Sequence, residues 1–172
     1  VLVRPLLELM APLNVQIKQL ERELAALGKT DPRVRLLQTV PAIGPQTSAG
    51  YVALIDDVRR FRTAHKVESY LGLVPGEWSS SENRLQLGIT KRGDSRVRWL
   101  LVEASWSILN GNRLECLELK RWAQGIAARR GSNVAVVALA RRLSGILVAM
   151  LRDNKPFDPS RLNTNRRHKK VA

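Results

Sequence analysis

The chain has 172 residues, which is enough to bury the core of one domain, or of one domain with a helical arm. Its hydrophobic content of 44% excludes a disordered tail, and its formal net charge of +14 favours a nucleic-acid partner, because neutralised phosphates release counterions. A basic ribosomal or chromatin-like protein has the same charge signature. A membrane surface is the weaker alternative, since we find no run of about 18 apolar residues that could span a bilayer.

Cysteine and histidine usage gives little sign of redox or metal chemistry. Cys116 is the single cysteine, so no disulfide can form within the chain, and we interpret it as a core or surface thiol of a reducing, cytosolic protein. His65 and His168 are far apart in sequence and lack ligand-like neighbours. The 15 acidic residues form no evident cluster for a pair of metal ions. We therefore predict no metal site in this chain.

A helical arm is predicted over residues 1–30. Apolar residues recur at steps of three and four from Leu2 to Leu27, which marks one face of a helix. We expect the continuous helix to begin near Pro12, because proline kinks a helix interior, and to end at Gly28. Such an arm either pairs with another helix or packs as an ordinary amphipathic core helix.

A mainly α-helical domain is predicted over residues 31–158, and its first unit is a helix, a tight turn and a second helix that reaches Ile55. The turn carries the sequence VPAIG, which is typical of the helix-hairpin-helix module. Gly44 would permit close backbone approach, and the amides at Thr47 and its neighbours would hold a phosphate without reading base sequence. An ordinary helical corner is the alternative.

The segment from Gly72 to Arg84 is predicted as a loop by its composition, and it carries the consecutive serines Ser79, Ser80 and Ser81. A hydroxyl in such a loop can attack a DNA phosphate if nearby cations lower the cost of the alkoxide. The predicted phosphate-binding cations are Arg84, Lys91, Arg92, Arg96 and Arg98. Serine runs are also common in linkers, so the pattern alone does not identify a nucleophile.

Three more helices are predicted in the second half of the domain. Residues 97–109 are strongly apolar and are expected to form the buried central helix, followed by an amphipathic helix over residues 114–130. A third helix is predicted over residues 133–151, with the arginine pair at 141–142 facing outward. Residues 159–172 form a basic tail that either holds nucleic acid electrostatically or is simply solvated.

Three sequence blocks resemble the C-terminal transposase domain of the IS110/IS116/IS902 transposases, which include the pilin-gene invertases. The blocks are LQTVPAIG with TSA over residues 37–49, YLGLVP, SS and LGITKRGD with RVR over residues 70–98, and VAVVALARRL over residues 134–143. They occur in the order found in the family, and together they extend over most of the chain.

The resemblance implies a DNA transposase or recombinase in which a serine attacks the DNA phosphate. Ser80 occupies the position of the family's nucleophile, but Ser81 stands where the family usually has glycine, which leaves Ser79 as the alternative. The resemblance also implies an N-terminal RuvC-like domain, with four acids that bind a metal expected to be Mg²⁺, and a coiled coil that ends within residues 1–30. Because the chain begins at Val1 rather than Met, we expect a fragment. Since the four acids would lie outside it, we expect it to have no cofactor of its own and to bind nucleic acid without recombining DNA alone.

The implied partners are DNA, a structured guide RNA that pairs with donor and target DNA, and a second copy of the chain bound through the N-terminal helix. The implied location is the bacterial cytoplasm, in association with the nucleoid. Two other interpretations stay open. One is a non-enzymatic helix-hairpin-helix module that binds DNA or RNA, and the other is a basic structural RNA-binding protein, which would not need a serine segment between two basic blocks.

Overall fold

The computed structural model describes residues 3–80 and 83–162, with side chains described for residues 3–76 and 88–162. In this part of the chain the protein is mainly α-helical, as predicted, with one small antiparallel sheet. The helices and strands, in chain order, are α1 (Val3–Thr30), α2 (Pro32–Leu37), α3 (Pro45–Ile55), α4 (Ala64–Tyr70), β1 (Pro75–Ser80), β2 (Asn83–Ile89), α5 (Ser95–Asn110), α6 (Leu117–Arg130) and α7 (Ser132–Asp153). Short 3₁₀ turns lie at Val58–Arg60, Leu114–Cys116 and Pro159–Leu162.

Helix α1 is longer than the predicted arm helix. It begins at Val3 and passes through Pro12, so the expected start at Pro12 is wrong. One proline removes a single helical hydrogen bond, and the surrounding Leu, Met, Glu and Ala residues are strong helix formers that continue the helix on both sides. Gly28 is also not a stop, because it is buried inside the helix, where an added Cβ would lie 2.7 Å from Gln38 Nε2. Position 28 therefore lies against the Gln38 side chain at the end of α2.

The apolar face predicted for α1 is exposed. Leu9 is 58% exposed, Leu13 55% and Ile17 50%, and only the C-terminal part of α1 contacts α2 and α3. Within the described residues, α1 is therefore not an amphipathic core helix. Its apolar face is available to a partner outside these residues.

The central helix is α7, not the predicted segment 97–109. It packs against α2, α4, α5 and α6, and its buried face includes Leu139, Leu143 and Leu147. In α5 the buried side is narrower than its composition suggested, since Trp99 is 57% exposed. Apolar content alone does not rank helices by burial, because the number of neighbours that a helix meets depends on the tertiary arrangement.

Helix α7 also corrects the expectation that no segment could span a bilayer. By length and apolar composition alone, Ser132–Asp153 is long and apolar enough to cross a membrane. Half of its apolar window is buried inside the protein, which is the situation of a core helix in a folded domain. A buried hydrogen bond ties it in place, because the Tyr51 hydroxyl donates to the Ser144 carbonyl at 2.8 Å.

The region predicted as a loop from Gly72 to Arg84 instead contains most of a β-hairpin. Strands β1 and β2 are antiparallel, with Ser79 opposite Arg84 and Ser80 opposite Asn83. The loop prediction failed because proline, glycine and serine are typical of turns, whereas strand pairing with the alternating segment 83–89 decides the backbone here. Ser79 and Ser80 therefore lie at the end of a strand, while Ser81 lies outside the described residues.

The structure describes the first four residues of the segment predicted as a basic tail. Pro159–Leu162 form a 3₁₀ turn, and Leu162 packs against the hydrophobic core. The preceding segment is fixed to the turn after α2, since the Phe157 amide donates to Thr39 Oγ1 at 2.9 Å. Residues 163–172 lie outside the described residues.

Candidate nucleic-acid interface

Two glycines fix the base of the hairpin against the chain that enters and leaves it. Gly72 has φ +68° and Gly93 has φ +129°, which is a range that favours glycine. A Cβ on Gly72 would lie 2.5 Å from the Arg92 carbonyl oxygen, and a Cβ on Gly93 would overlap the Tyr70 carbonyl oxygen. The backbone segments on either side of the hairpin can therefore approach this closely only without side chains at these two positions.

Backbone hydrogen bonds extend the hairpin beyond its strands. The Thr90 amide donates to the Val74 carbonyl at 2.9 Å, and the Lys91 amide donates to the Gly72 carbonyl at 3.1 Å. These bonds tie the base of the hairpin together below a register shift between Pro75 and Glu77. Counting about 3.3 Å per residue, Ser80 lies roughly 17 Å along β1 from Pro75.

The predicted cations fall into three groups. Arg84 is directly opposite Ser79 in the sheet register, but its side chain lies outside the described side chains, as do those of Ser79 and Ser80. Lys91 and Arg92 are exposed in the connection between β2 and α5, and Arg96 is exposed in the first turn of α5. These residues remain predictions as phosphate contacts.

Arg98 differs from the other predicted cations because it is used inside the fold. Its Nη1 atom donates to the Leu71 carbonyl at 3.1 Å, and the residue is only partly exposed. Asp94 caps the start of the same helix, since its Oδ1 accepts from the Val97 amide at 2.7 Å. Arg98 therefore fastens α5 to the end of α4 as well as adding positive charge.

The start of α3 presents backbone rather than side chains. Gly44 precedes the helix in an extended conformation, and a side chain at this position would meet no atom within 4 Å. Thr47 is only 7% exposed, so its hydroxyl is enclosed by the fold. The Ser48 hydroxyl donates back to the Gly44 carbonyl at 2.9 Å. A turn joins α2 to α3, and the helix-hairpin-helix unit stays a prediction, in which any phosphate contact here would use the backbone amides of the first turn.

A cleft of about 700 Å³, which the sequence did not suggest, lies between the base of the hairpin and the α6–α7 pair. Its polar lining includes Glu68 from α4, Lys91 after β2, Arg130 from α6, and Asn133, Arg141 and Arg142 from α7. The arginine pair predicted to face outward therefore faces this cleft. No spacing rule could have revealed it, because its lining residues come from four separate segments.

An ion pair fixes one wall of the cleft. Arg141 Nε donates to Glu68 Oε2, and the His65 Nδ1 atom lies 3.2 Å from both the same carboxylate oxygen and the Arg141 guanidinium. The Glu68 side chain is only 14% exposed, so solvent screens this ion pair less than it screens a fully exposed salt bridge. The ion pair joins α4 to α7 and orients Arg141.

An aromatic contact fixes another wall. The Arg142 guanidinium lies 4.7 Å from the centroid of the Trp122 ring, within the range of a cation–π interaction. Burial lowers the pKa of Arg142, an effect that the Glu118 carboxylate opposes, and arginine stays charged at physiological pH. Trp122 remains 38% exposed. The cleft thus combines an accessible aromatic ring with a partly desolvated positive charge.

Within residues 3–80 and 83–162, no three His, Cys, Asp or Glu side chains come together as a ligand set for a metal ion. Cys116 is buried, and burial raises the pKa of its thiol, so it is a core residue.

Comparisons with known proteins define the class. The model of the transposase IS116/IS110/IS902 family matches residues 34–116. A probable family 20 transposase of Pseudomonas aeruginosa is 34% identical over 158 residues, which cover 92% of this chain and 47% of the relative. The transposase for insertion sequence element IS1111A of Coxiella burnetii is 31% identical over 131 residues, which cover 76% of this chain and 36% of the relative. The pilin gene-inverting protein of Moraxella lacunata is 29% identical over 149 residues, which cover 83% of this chain and 45% of the relative.

The residues matched by the family model include the hairpin and the cationic segment that follows it. The chain belongs to the IS116/IS110/IS902 transposase family. It spans less than half the length of each of these three relatives.

Proposed function

We propose that this chain is the DNA-handling part of a transposase or recombinase, and that Ser80 is its nucleophile. The observation that carries the proposal is the position of Ser80 at the end of β1, opposite Asn83 in the hairpin and inside the segment matched by the family model. Named relatives that are transposases, and a pilin gene-inverting protein among them, support DNA rearrangement as the activity.

In the proposed step, the Ser80 oxygen forms a bond to a DNA phosphorus while the bond from that phosphorus to a deoxyribose oxygen breaks. The serine proton passes to a base, and the released deoxyribose oxygen is protonated, so the product is a phosphoserine–DNA ester and a free DNA hydroxyl. Attack on this ester by another DNA hydroxyl rejoins the strand and restores the serine. The energy of the broken bond is kept in the ester, and no nucleotide cofactor is needed.

The cations around the hairpin would stabilise the charge that develops on the phosphoryl oxygens. Lys91, Arg92 and Arg96 are exposed beyond the hairpin base, and Arg84 pairs in register with Ser79. The amides at the start of α3 would add a contact to the DNA backbone that does not depend on sequence. Arg98 would contribute mainly by holding α5 in position.

Several parts of the proposed machinery lie outside this chain. Four metal-binding acids of a RuvC-like domain would supply Mg²⁺ chemistry at a composite site. A structured guide RNA would select donor and target DNA, and two or more copies would associate through α1. On this proposal, the 172-residue chain binds nucleic acid but does not recombine DNA alone, and the full-length protein acts in the bacterial cytoplasm at the nucleoid.

Serine variants of the full-length protein test the nucleophile. We expect Ser80→Ala to lower recombination by at least about 10³-fold and to abolish the covalent DNA adduct, while DNA affinity is unchanged. Ser79→Ala is the matched control, because it removes the neighbouring hydroxyl from the same strand. Retained recombination in Ser80→Ala would overturn the assignment, and loss of the adduct in Ser79→Ala alone would transfer the role to Ser79.

The second candidate function is a non-enzymatic nucleic-acid-binding module built on α2 and α3. It is favoured by the exposed turn at Gly44, which leaves the start of α3 open. The same serine variants separate the two functions, because a binding module would show unchanged behaviour in both.

A further inference from the structure

The cleft at the hairpin base has the size and lining of a ligand site. Its volume of about 700 Å³ lies in the usual range for small-molecule and cofactor sites. Leu73, Ile89, Val134 and Val137 give it an apolar surface, and Trp122 adds an aromatic ring that is 38% exposed. An apolar cleft with one accessible aromatic ring fits a flat, hydrophobic group.

The charges of the cleft favour an anion attached to that flat group. Its lining includes four cationic residues, Lys91, Arg130, Arg141 and Arg142, and one acidic residue, Glu68. Glu68 is paired with Arg141, so the acid of the cleft does not neutralise the other cations within it. Asn133 adds an amide that can both donate and accept hydrogen bonds.

A nucleotide combines these properties, because it has a planar base, hydrogen-bonding edges and a phosphate. Bases stack on tryptophan rings and on arginine guanidinium planes, and Trp122 and Arg142 lie together in the cleft. A base within a duplex is stacked on its neighbours and cannot enter, so the ligand must be an unpaired base.

We propose that this cleft binds one unpaired nucleotide of a DNA strand, with the base against Trp122 and Arg142 and the phosphate near Lys91 and Arg130. The inference rests on the proposed function in one respect, namely that DNA is the strand at the hairpin. The cleft shares Pro75, Gly88 and Ile89 with that hairpin, at the base of the strand that carries the serines. Holding an unpaired nucleotide here would keep a DNA strand open at the hairpin base, roughly 17 Å along β1 from Ser80.

Photo-crosslinking tests the proposal directly. The full chain is mixed with a ten-nucleotide single-stranded DNA that contains 5-iodouracil, irradiated, digested and analysed by mass spectrometry. We expect the main crosslink on the peptide that contains Trp122. A main crosslink on any other peptide contradicts the proposal. The crosslink needs no catalysis. The cleft proposal can therefore fail while the serine assignment stands, and the serine assignment can fail while the crosslink is still found.

Paired variants separate the cleft from general positive charge. Trp122→Ala is expected to weaken binding of the oligonucleotide about tenfold, which is within the measured range for one stacked base, and Trp122→Phe is expected to restore most of it. Trp99→Ala is the aromatic control, because Trp99 is 57% exposed on α5 and does not line the cleft. Equal losses in Trp122→Ala and Trp99→Ala overturn the proposal.

The charge control uses neighbouring arginines of α6. Arg130 lines the cleft and Arg129 does not, although both are exposed and both substitutions to glutamine change the net charge equally. We expect Arg130→Gln to weaken binding more than Arg129→Gln. Equal effects would show an adventitious electrostatic contact and contradict a built site. Tighter binding of the matching RNA oligonucleotide than of the DNA would overturn the assignment to DNA.

Discussion

Gly93 has no Cβ, and this allows the base of the hairpin to lie against the end of α4. Its φ of +129° and its contact with the Tyr70 carbonyl oxygen leave no room for a side chain. Gly93 lies in the family-like block LGITKRGD, but only the structure shows that it determines how closely the chain at the base of the hairpin can approach the end of α4.

Gly93→Ala is therefore expected to destabilise the protein. The strained backbone and the overlap should cost about 1–3 kcal/mol of unfolding free energy, measured by urea denaturation. Gly125→Ala is the control, since position 125 lies in α6 with open space around it and should gain about 0.5–1 kcal/mol. Equal stabilities for the two variants would contradict the close approach at Gly93.

At the scale of single elements, α1 has an apolar face that other described residues leave largely uncovered. Its apolar residues face solvent along most of the helix, which is unfavourable by roughly 25 cal/mol for each Å² of apolar surface left in water. The proposed association of two copies through this face would bury it. The exposure was visible only in the structure, because periodicity shows which face is apolar and not what covers it.

The double variant Leu13→Glu with Ile17→Glu is expected to abolish self-association, because charged side chains would lie inside the proposed interface. Sedimentation velocity should show the mass of the assembly falling to that of one chain. Val15→Glu is a matched control, since Val15 is 66% exposed and, at about 100° per residue, lies on the other side of the helix. An unchanged mass in the double variant, or a wild-type protein that is already monomeric, would refute the interface.

The hairpin and α7 show where element predictions succeed and fail. Helix α6 ends before Gly131 and α5 begins after Asp94, as the local capping signals indicate. The turn-like composition of the serine segment hid its pairing with β2, which follows β1 directly in the chain. Helix patterns could not show that α7 is the central helix, because that depends on contacts between elements. The cleft is a still clearer case, since Glu68 and Arg141 meet across 73 residues.

At the scale of the whole molecule, the net charge of +14 predicts strong salt dependence of nucleic-acid binding. The total charge could be read from the sequence, but the distinct uses of the individual cations could not. Arg96 is exposed, whereas Arg98 is bonded to the Leu71 carbonyl.

Arg96→Gln is accordingly expected to reduce the slope of log K against log [salt] for duplex DNA by about 1, with unchanged folding stability. Arg98→Gln should instead lower the unfolding free energy by roughly 0.5–1.5 kcal/mol, because it removes a partly buried hydrogen bond. Fluorescence anisotropy over a salt series and urea denaturation measure the two effects. The reverse pattern would show that Arg98 is the phosphate contact.

The central claim is that Ser80 forms a covalent bond to DNA, and peptide mapping of the trapped adduct tests it most directly. The full-length protein would be reacted with its own element-end DNA carrying a leaving group that prevents religation, then digested with protease and nuclease. We predict a nucleotide remnant on Ser80 in the peptide that spans β1 and β2. A remnant on any other residue, or no covalent adduct in a reaction that still recombines DNA, would contradict the claim.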